Sequence, residues 1–155
     1  MADDYADEPT LEALESVIDA WLAEQLEENP VVAAVERGEP GERRWYVRVH
    51  GETKDVYTIW FTLRQRSLFY ETYVVPAPEE NHEQFWEHLL RRNRKLHGMA
   101  FCIGEEDSVF LAGALPFHAV DAGELDRILG SFYAYVEQCF RPALRIGFAS
   151  RFPSA

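Results

Sequence analysis

A chain of 155 residues that is 47% hydrophobic and 14% aromatic has the length and apolar content of one folded domain, which excludes wholesale disorder. It holds no apolar run of about 20 residues, which excludes a membrane-spanning helix, and its opening Met1-Ala-Asp-Asp carries acids where a secretory signal carries positive charge, so the expected location is the cytoplasm. The net charge of −12 is uneven, with 11 acids and no Lys or Arg from Met1 to Glu36 and 16 acids against 15 bases beyond, a field that disfavours nucleic acid and anionic membranes as partners.

Residues 1–9 read as an acidic, disordered leader ending at Pro9, and residues 10–152 as a single domain. Thr10 is the expected N-cap of a first helix, its hydroxyl accepting an amide that the first turn leaves unpaired. Leu11, Leu14, Ile18, Trp21, Leu22 and Leu26 then mark one helical face, and the helix ends near Glu28 before Asn29-Pro30. Val31 to Glu36 fits either a strand or a short irregular piece. Gly38, Pro40 and Gly41 form a loop.

Arg43 to Val75 reads as three strands with short connections, hence an antiparallel meander. In the first, Trp45, Val47 and Val49 alternate with Tyr46, Arg48 and His50. The second, Asp55 to Arg64, is apolar on both sides at its middle: Ile59 and Phe61 point one way and Trp60 the other. A sheet with one solvated face alternates cleanly, so the second face needs cover from a partner subunit, a bound peptide or a helix of the same chain. The third strand runs from Leu68 to Val75.

Pro78 suits the first turn of a second helix, with Glu79, Glu80 and Glu83 at its positive end and Arg91, Arg92, Arg94 and Lys95 at its negative end. Phe85, Trp86, Leu89 and Leu90 are its buried stripe, and Gly98 stops it. Met99 to Ile103 and Ser108 to Leu115 are two strands around an acidic turn. Asp121 with Glu124 resembles a capping box, and Leu125, Ile128, Leu129, Phe132, Val136 and Phe140 mark a last long helix that Pro142 is expected to end or kink. The fold class is α+β, an antiparallel sheet in the order α-β-β-β-α-β-β-α with helices mainly on one side.

Reactive constellations are absent from the sequence. His82-Glu83 lacks the second His four residues on that a zinc helix needs, since Trp86 holds that place, and His88 lies on another face. Glu105, Glu106 and Asp107 lack the spaced oxygens of a calcium loop. Cys102 and Cys139 have no paired spacing and read as two buried thiols. No phosphate-binding glycine loop or nucleophile elbow occurs. Neither metal nor cofactor is expected. The four cations of Arg91–Lys95 are the best case for nucleic acid, although helix-end charge already accounts for them.

Tyr70 to Gly98 and Phe101 to Phe140 resemble the YbjN family, particularly its actinobacterial members. The likeness rests on Pro76 to Asn81, Leu89 to Asn93, Leu115-Pro116 and Glu124 to Ser131, and extends over about Arg43 to Phe140. It implies a fold similar to type III secretion chaperones, which are small acidic domains that dimerise and hold extended partner segments. Members are labelled regulators of sensory transduction. No catalytic motif comes with the likeness.

The expected function is therefore a non-enzymatic binding module, chaperone- or adaptor-like, that binds a protein segment as a homodimer. Tyr57, Ile59, Trp60 and Phe61 are the candidate contacts for partner or second copy. The alternatives are a nucleic-acid-binding regulator using Arg91, Arg92, Arg94 and Lys95, or an enzyme using His82, Glu83 or His118 as acid or base.

Overall fold

The computed structural model describes residues 4–152. Helix α1 spans Glu8–Glu28 and opens earlier than its apolar stripe suggests. Its N-cap is Asp7 rather than Thr10: the Asp7 carboxylate accepts the Thr10 amide at 2.9 Å. A carboxylate there satisfies a free N–H and also meets the positive end of the helix. Ala6 is buried and its amide donates to the Gln65 carbonyl at 2.7 Å, so packing begins ahead of Thr10. Residues 1–3 of the expected leader lie outside the described residues.

The six strands are β1 (Val32–Arg37), β2 (Arg44–His50), β3 (Val56–Leu63), β4 (Ser67–Val75), β5 (Ala100–Ile103) and β6 (Val109–Pro116). They form one antiparallel sheet in the order β1-β2-β3-β4-β6-β5. The meander and the later hairpin are as expected. The undecided stretch after α1 is a strand, because Ala34 to Arg37 pair with Trp45 to Arg48 on β2. That adds one strand to the predicted order.

Alternation sorts the sheet into two faces. On one, Trp45, Val47, Val49, Ile59, Phe61 and Tyr70 are buried beneath α1 and α3, the latter spanning Ala122–Gly147. Trp21 of α1 meets Phe61 edge-on at 6.1 Å, and Phe132 of α3 meets Tyr70 at 5.7 Å. The two buried indoles find acceptors, Trp21 Nε1 on Asp126 and Trp45 Nε1 on Asp19, both at 2.7 Å, as a buried N–H requires. Acids of α1 therefore serve the fold: Glu15 accepts from Arg43 at 2.7 Å, and Asp19 pairs with Arg37 at 3.1 Å.

Helix α2 (His82–Asn93) starts four residues after Pro78. The Glu79 and Glu80 amides, which would have opened it, instead donate to the Gly147 carbonyl at 2.9 and 3.1 Å. Asn81 then turns through the left-handed region, with φ at 52°. Phe85 seats on Gly147, where any Cβ would come within 2.8 Å of its ring. Glycine is the residue that fits.

Helix α3 begins at the expected cap, the Asp121 carboxylate accepting the Glu124 amide at 2.8 Å. It neither ends nor is interrupted at Pro142 and runs on to Gly147. A proline inside a helix removes one hydrogen bond, but Val136, Cys139, Ala143 and Gly147 continue the buried stripe past it. Packing decides the outcome. The tail left unassigned by the sequence is thus the end of this helix and a short 3-10 turn, Ala149–Arg151.

Candidate functional site, an uncovered sheet face

The opposite face of the sheet carries Tyr46 and Arg44 from β2, Trp60 and Thr62 from β3, Phe69, Glu71 and Tyr73 from β4, and Phe110 from β6. Trp60 is the centre: it pairs across to Tyr46 on one side and Glu71 on the other. Its ring lies 6.3 Å from Phe110, and Phe110 meets Tyr73 edge-on at 5.7 Å. Phe69 is 45% exposed and Tyr73 36%. Such aromatics belong to the apolar side of a contact, and on this face they stand open.

Two adjoining hollows, of ≈ 600 and ≈ 340 Å³, share Arg44, Trp60, Thr62 and Glu71. Strand, hairpin and loop residues line them, and no residue of α1, α2 or α3 does. The charges are mixed, with Arg44 and Arg64 at one end, Glu71 beside Trp60, and the outward-facing Arg48 on β2 level with the end that holds Glu105. Arg44 pairs with Thr62, and Arg64 follows β3 with its guanidinium 5.9 Å from the Phe69 ring. Glu105 lies at the other end, in the turn before Val109, which pairs with Val75 at the close of β4. Among the described residues Arg44 makes no ion pair.

Of the four contact candidates read from the sequence, Tyr57, Ile59 and Phe61 are 4%, 0% and 0% exposed beneath the helices and are unable to touch a partner. Trp60 alone faces outward. The reason is register: a strand buried on one face hides every second residue. Nor does β3 offer an edge, since β2 and β4 flank it; the sheet edges are β1 and β5.

Cys102 is exposed, not buried, because β5 is an edge strand and Cys102 pairs with Phe110 on the uncovered face; Cys139 is buried as expected. Partial burial, with the Glu71 charge adding to it, holds the Cys102 thiol above its usual pKa, so it is no activated nucleophile.

The acid–base candidates do not converge. His118 follows β6 beside the start of β4, where the Phe117 amide donates to the Arg66 carbonyl, whereas His82 and Glu83 follow the end of β4. A nine-residue strand separates the two places, roughly 30 Å. His88 is half-buried with its Nε2 unpaired, and burial, reinforced by Arg92, lowers its pKa.

The basic cluster is divided as well: Arg91 reaches Glu87 at 3.6 Å and Arg92 donates to the Gln138 carbonyl at 2.9 Å, while Arg94 and Lys95 are exposed. Among the described residues no group of three or more His, Cys, Asp or Glu is placed to hold a metal ion. Nor is any helix there long and apolar enough to cross a membrane.

Sequence reading missed Phe69, Tyr73 and Phe110 as members of the site. Phe69 and Tyr73 stand two places to either side of Glu71 and share its outward phase, which alternation alone could have supplied. Phe110 enters only because β6 pairs with β4.

Helices on one side of an open six-stranded antiparallel sheet make an α+β fold, and it is similar to that of type III secretion chaperones. The chain superposes with a TM-score of 0.52 and 15% identity on a chain from the crystal structure of the Yersinia pestis type III secretion chaperone SycH in complex with a stable fragment of YscM2, covering 79% of this chain and 96% of that one. For the HopA1–SchA chaperone–effector complex the values are 0.56 and 12%, with 88% and 98% covered. These likenesses concern the fold.

Residues 15–145 match the YbjN family, described as "Putative bacterial sensory transduction regulator", and the chain belongs to that family. It is 36% identical over 104 residues to the uncharacterized protein Rv0487 of Mycobacterium tuberculosis, covering 67% of this chain and 57% of that protein. With the uncharacterized protein ML2442 of Mycobacterium leprae it shares 32% over 107 residues, covering 69% and 58%. The match thus spans little more than half the length of these relatives, and the actinobacterial likeness read from the sequence holds.

Proposed function

We propose that this protein is a non-enzymatic, chaperone- or adaptor-like binding module of the cytoplasm, working as a homodimer and holding an extended protein segment flat on the Trp60 face. The observation that carries the reading is that face itself, an aromatic sheet surface over which no helix of the described residues packs. The charges that line the two hollows set the ends of the segment. Large apolar side chains in the middle meet Trp60 and Phe110, an acidic residue lies toward Arg44 and Arg64, and a basic one lies toward Glu105. The chaperone complexes that share the fold support a protein partner over a small molecule, and the hollows are too open to enclose one.

The test is an array of immobilised extended peptides with apolar centres, carrying the acid–base polarity above, its reverse, or no charge. Trp60→Thr is the control protein, because threonine keeps strand propensity and already flanks the position at Thr58 and Thr62. Wild type is expected to retain the matched peptides over the reversed ones, and Trp60→Thr to lose them. No retention by wild type, or retention that Trp60→Thr leaves intact, overturns the reading. So does preferential retention of a single-stranded oligonucleotide.

A further inference from the structure

A segment lying flat on the Trp60 face meets no backbone with which it can pair. The ladder bonds of a sheet run in its plane, from strand to strand, and β3 and β4, at the middle of this face, are each flanked on both sides. At the outer edge of β5 the Asn93 side chain already accepts the Phe101 amide at 2.7 Å and donates to the Phe101 carbonyl at 3.1 Å. A peptide in the β conformation carries an N–H at every residue. Those turned toward the aromatic rings are buried without an acceptor, each at the cost of a lost hydrogen bond.

What the face offers instead is donors. The indoles of Trp21 and Trp45 donate to carboxylates inside the fold. Among the described residues the Trp60 indole, the Tyr46 hydroxyl and the Arg44 guanidinium have no hydrogen-bond partner. All three line the larger hollow, and Trp60 and Arg44 line both. The carboxylates there, Glu71 and Glu105, suit a cationic side chain better than a row of amides.

Proline answers both conditions. Its residues carry no N–H, and a polyproline II helix has no internal hydrogen bonds, so its carbonyls are left as acceptors. One edge of that helix repeats every three residues, roughly 9 Å, so two successive turns can enter the two hollows on either side of Trp60. Aromatic-lined grooves are the surfaces on which such segments dock, because the helix exists before binding and little ordering entropy opposes it. Trp60, Phe110 and Tyr73 supply those aromatics as one run of ring contacts, at 6.3 and 5.7 Å.

We propose that the segment held on the Trp60 face is proline-rich and bound as a polyproline II helix. Its prolyl rings pack on Trp60 and Phe110, and its carbonyls accept from the Trp60 indole, the Tyr46 hydroxyl and Arg44. The proposal rests on the segment-binding reading above and names the chemistry of the apolar centre.

Isothermal titration calorimetry on the full chain tests it with two soluble peptides of identical charged flanks. One has a run of prolines at its centre and the other has valines in their place. Wild type is expected to bind the proline peptide about tenfold more tightly, the worth of one hydrogen bond. Trp60→Phe and Tyr46→Phe keep an aromatic ring and remove only the donor, and each should weaken that binding by about tenfold. Far-ultraviolet circular dichroism checks that both variants fold. A valine peptide bound as tightly as the proline peptide, or more so, overturns the proposal and leaves the segment-binding reading standing. Proline-peptide binding that both variants leave unchanged overturns it too. If neither peptide binds wild type, both readings fall.

Discussion

Phe61 and Trp60 are neighbours in sequence and should respond in opposite ways to truncation. Phe61 is fully buried, with rings of Trp21 at 6.1 Å and Tyr70 at 6.3 Å. Phe61→Ala removes its transfer free energy and leaves a cavity, together about 3–5 kcal/mol. Two aromatic contacts of about 0.5–1.5 kcal/mol each place it in the upper part of that range. Trp60→Thr gives up one ring contact, to Phe110, and apolar area that water already partly reaches, so about 1 kcal/mol is expected. For a chain of this size each kcal/mol moves Tm by about 2–4 °C. Urea unfolding followed by circular dichroism should show Phe61→Ala far less stable, Trp60→Thr close to wild type, and similar slopes for all three. A Trp60→Thr loss as large as that of Phe61→Ala would mean the outer face is enclosed, and the assignment of the two faces would be refuted.

Lys54 and Gly113 give two further expectations. The Lys54 ammonium donates to the Tyr73 and Val74 carbonyls at 2.9 and 2.7 Å, yet burial pulls its pKa from 10.5 to about 8. Between those values the unfolded chain holds a proton that the folded chain has released, so this group makes stability rise with pH across the window. Cys139, pushed up to about 11 by burial, and Tyr57, also raised by burial, act in the opposite sense at high pH. The rise is therefore read as the difference in urea midpoint between wild type and Lys54→Met, and parallel curves would count against it. At Gly113 a Cβ would stand 2.2 Å from the Gly98 carbonyl oxygen and 2.7 Å from the Tyr70 ring. Gly113→Ala should cost about 1–3 kcal/mol by overpacking and weaken the Tyr70 hydroxyl bond to Gly98, checked by thermal unfolding.

What the sequence made legible is what local pattern encodes. The period-two alternation of Trp45 to Val49 separated the buried side of β2 from its outer side, and the aliphatic spacing of Leu125 to Val136 marked α3. The misplaced features depend on contacts distant in sequence. Val32 to Arg37 becomes a strand by pairing with β2, α2 starts late because α3 takes its first amides, and Cys102 is exposed because β5 is an edge. The two-sided middle of β3 did point to an uncovered face. It could not separate Trp60 from Phe61, since which phase faces the helices is settled by α1 and α3 arriving from opposite ends of the chain.

The Asn93 amide has a consequence for behaviour at high concentration. Sheets fuse into fibrils by adding strands at an open end, each new strand becoming the template for the next. Here the Asn93 side chain accepts the Phe101 amide at 2.7 Å and donates to the Phe101 carbonyl at 3.1 Å on the outer edge of β5, while the other edge strand, β1, is irregular between Val32 and Ala34 and finishes in Glu36 and Arg37. The molecule thus leaves a broad aromatic surface open while narrowing the backbone its sheet edges offer to a further copy.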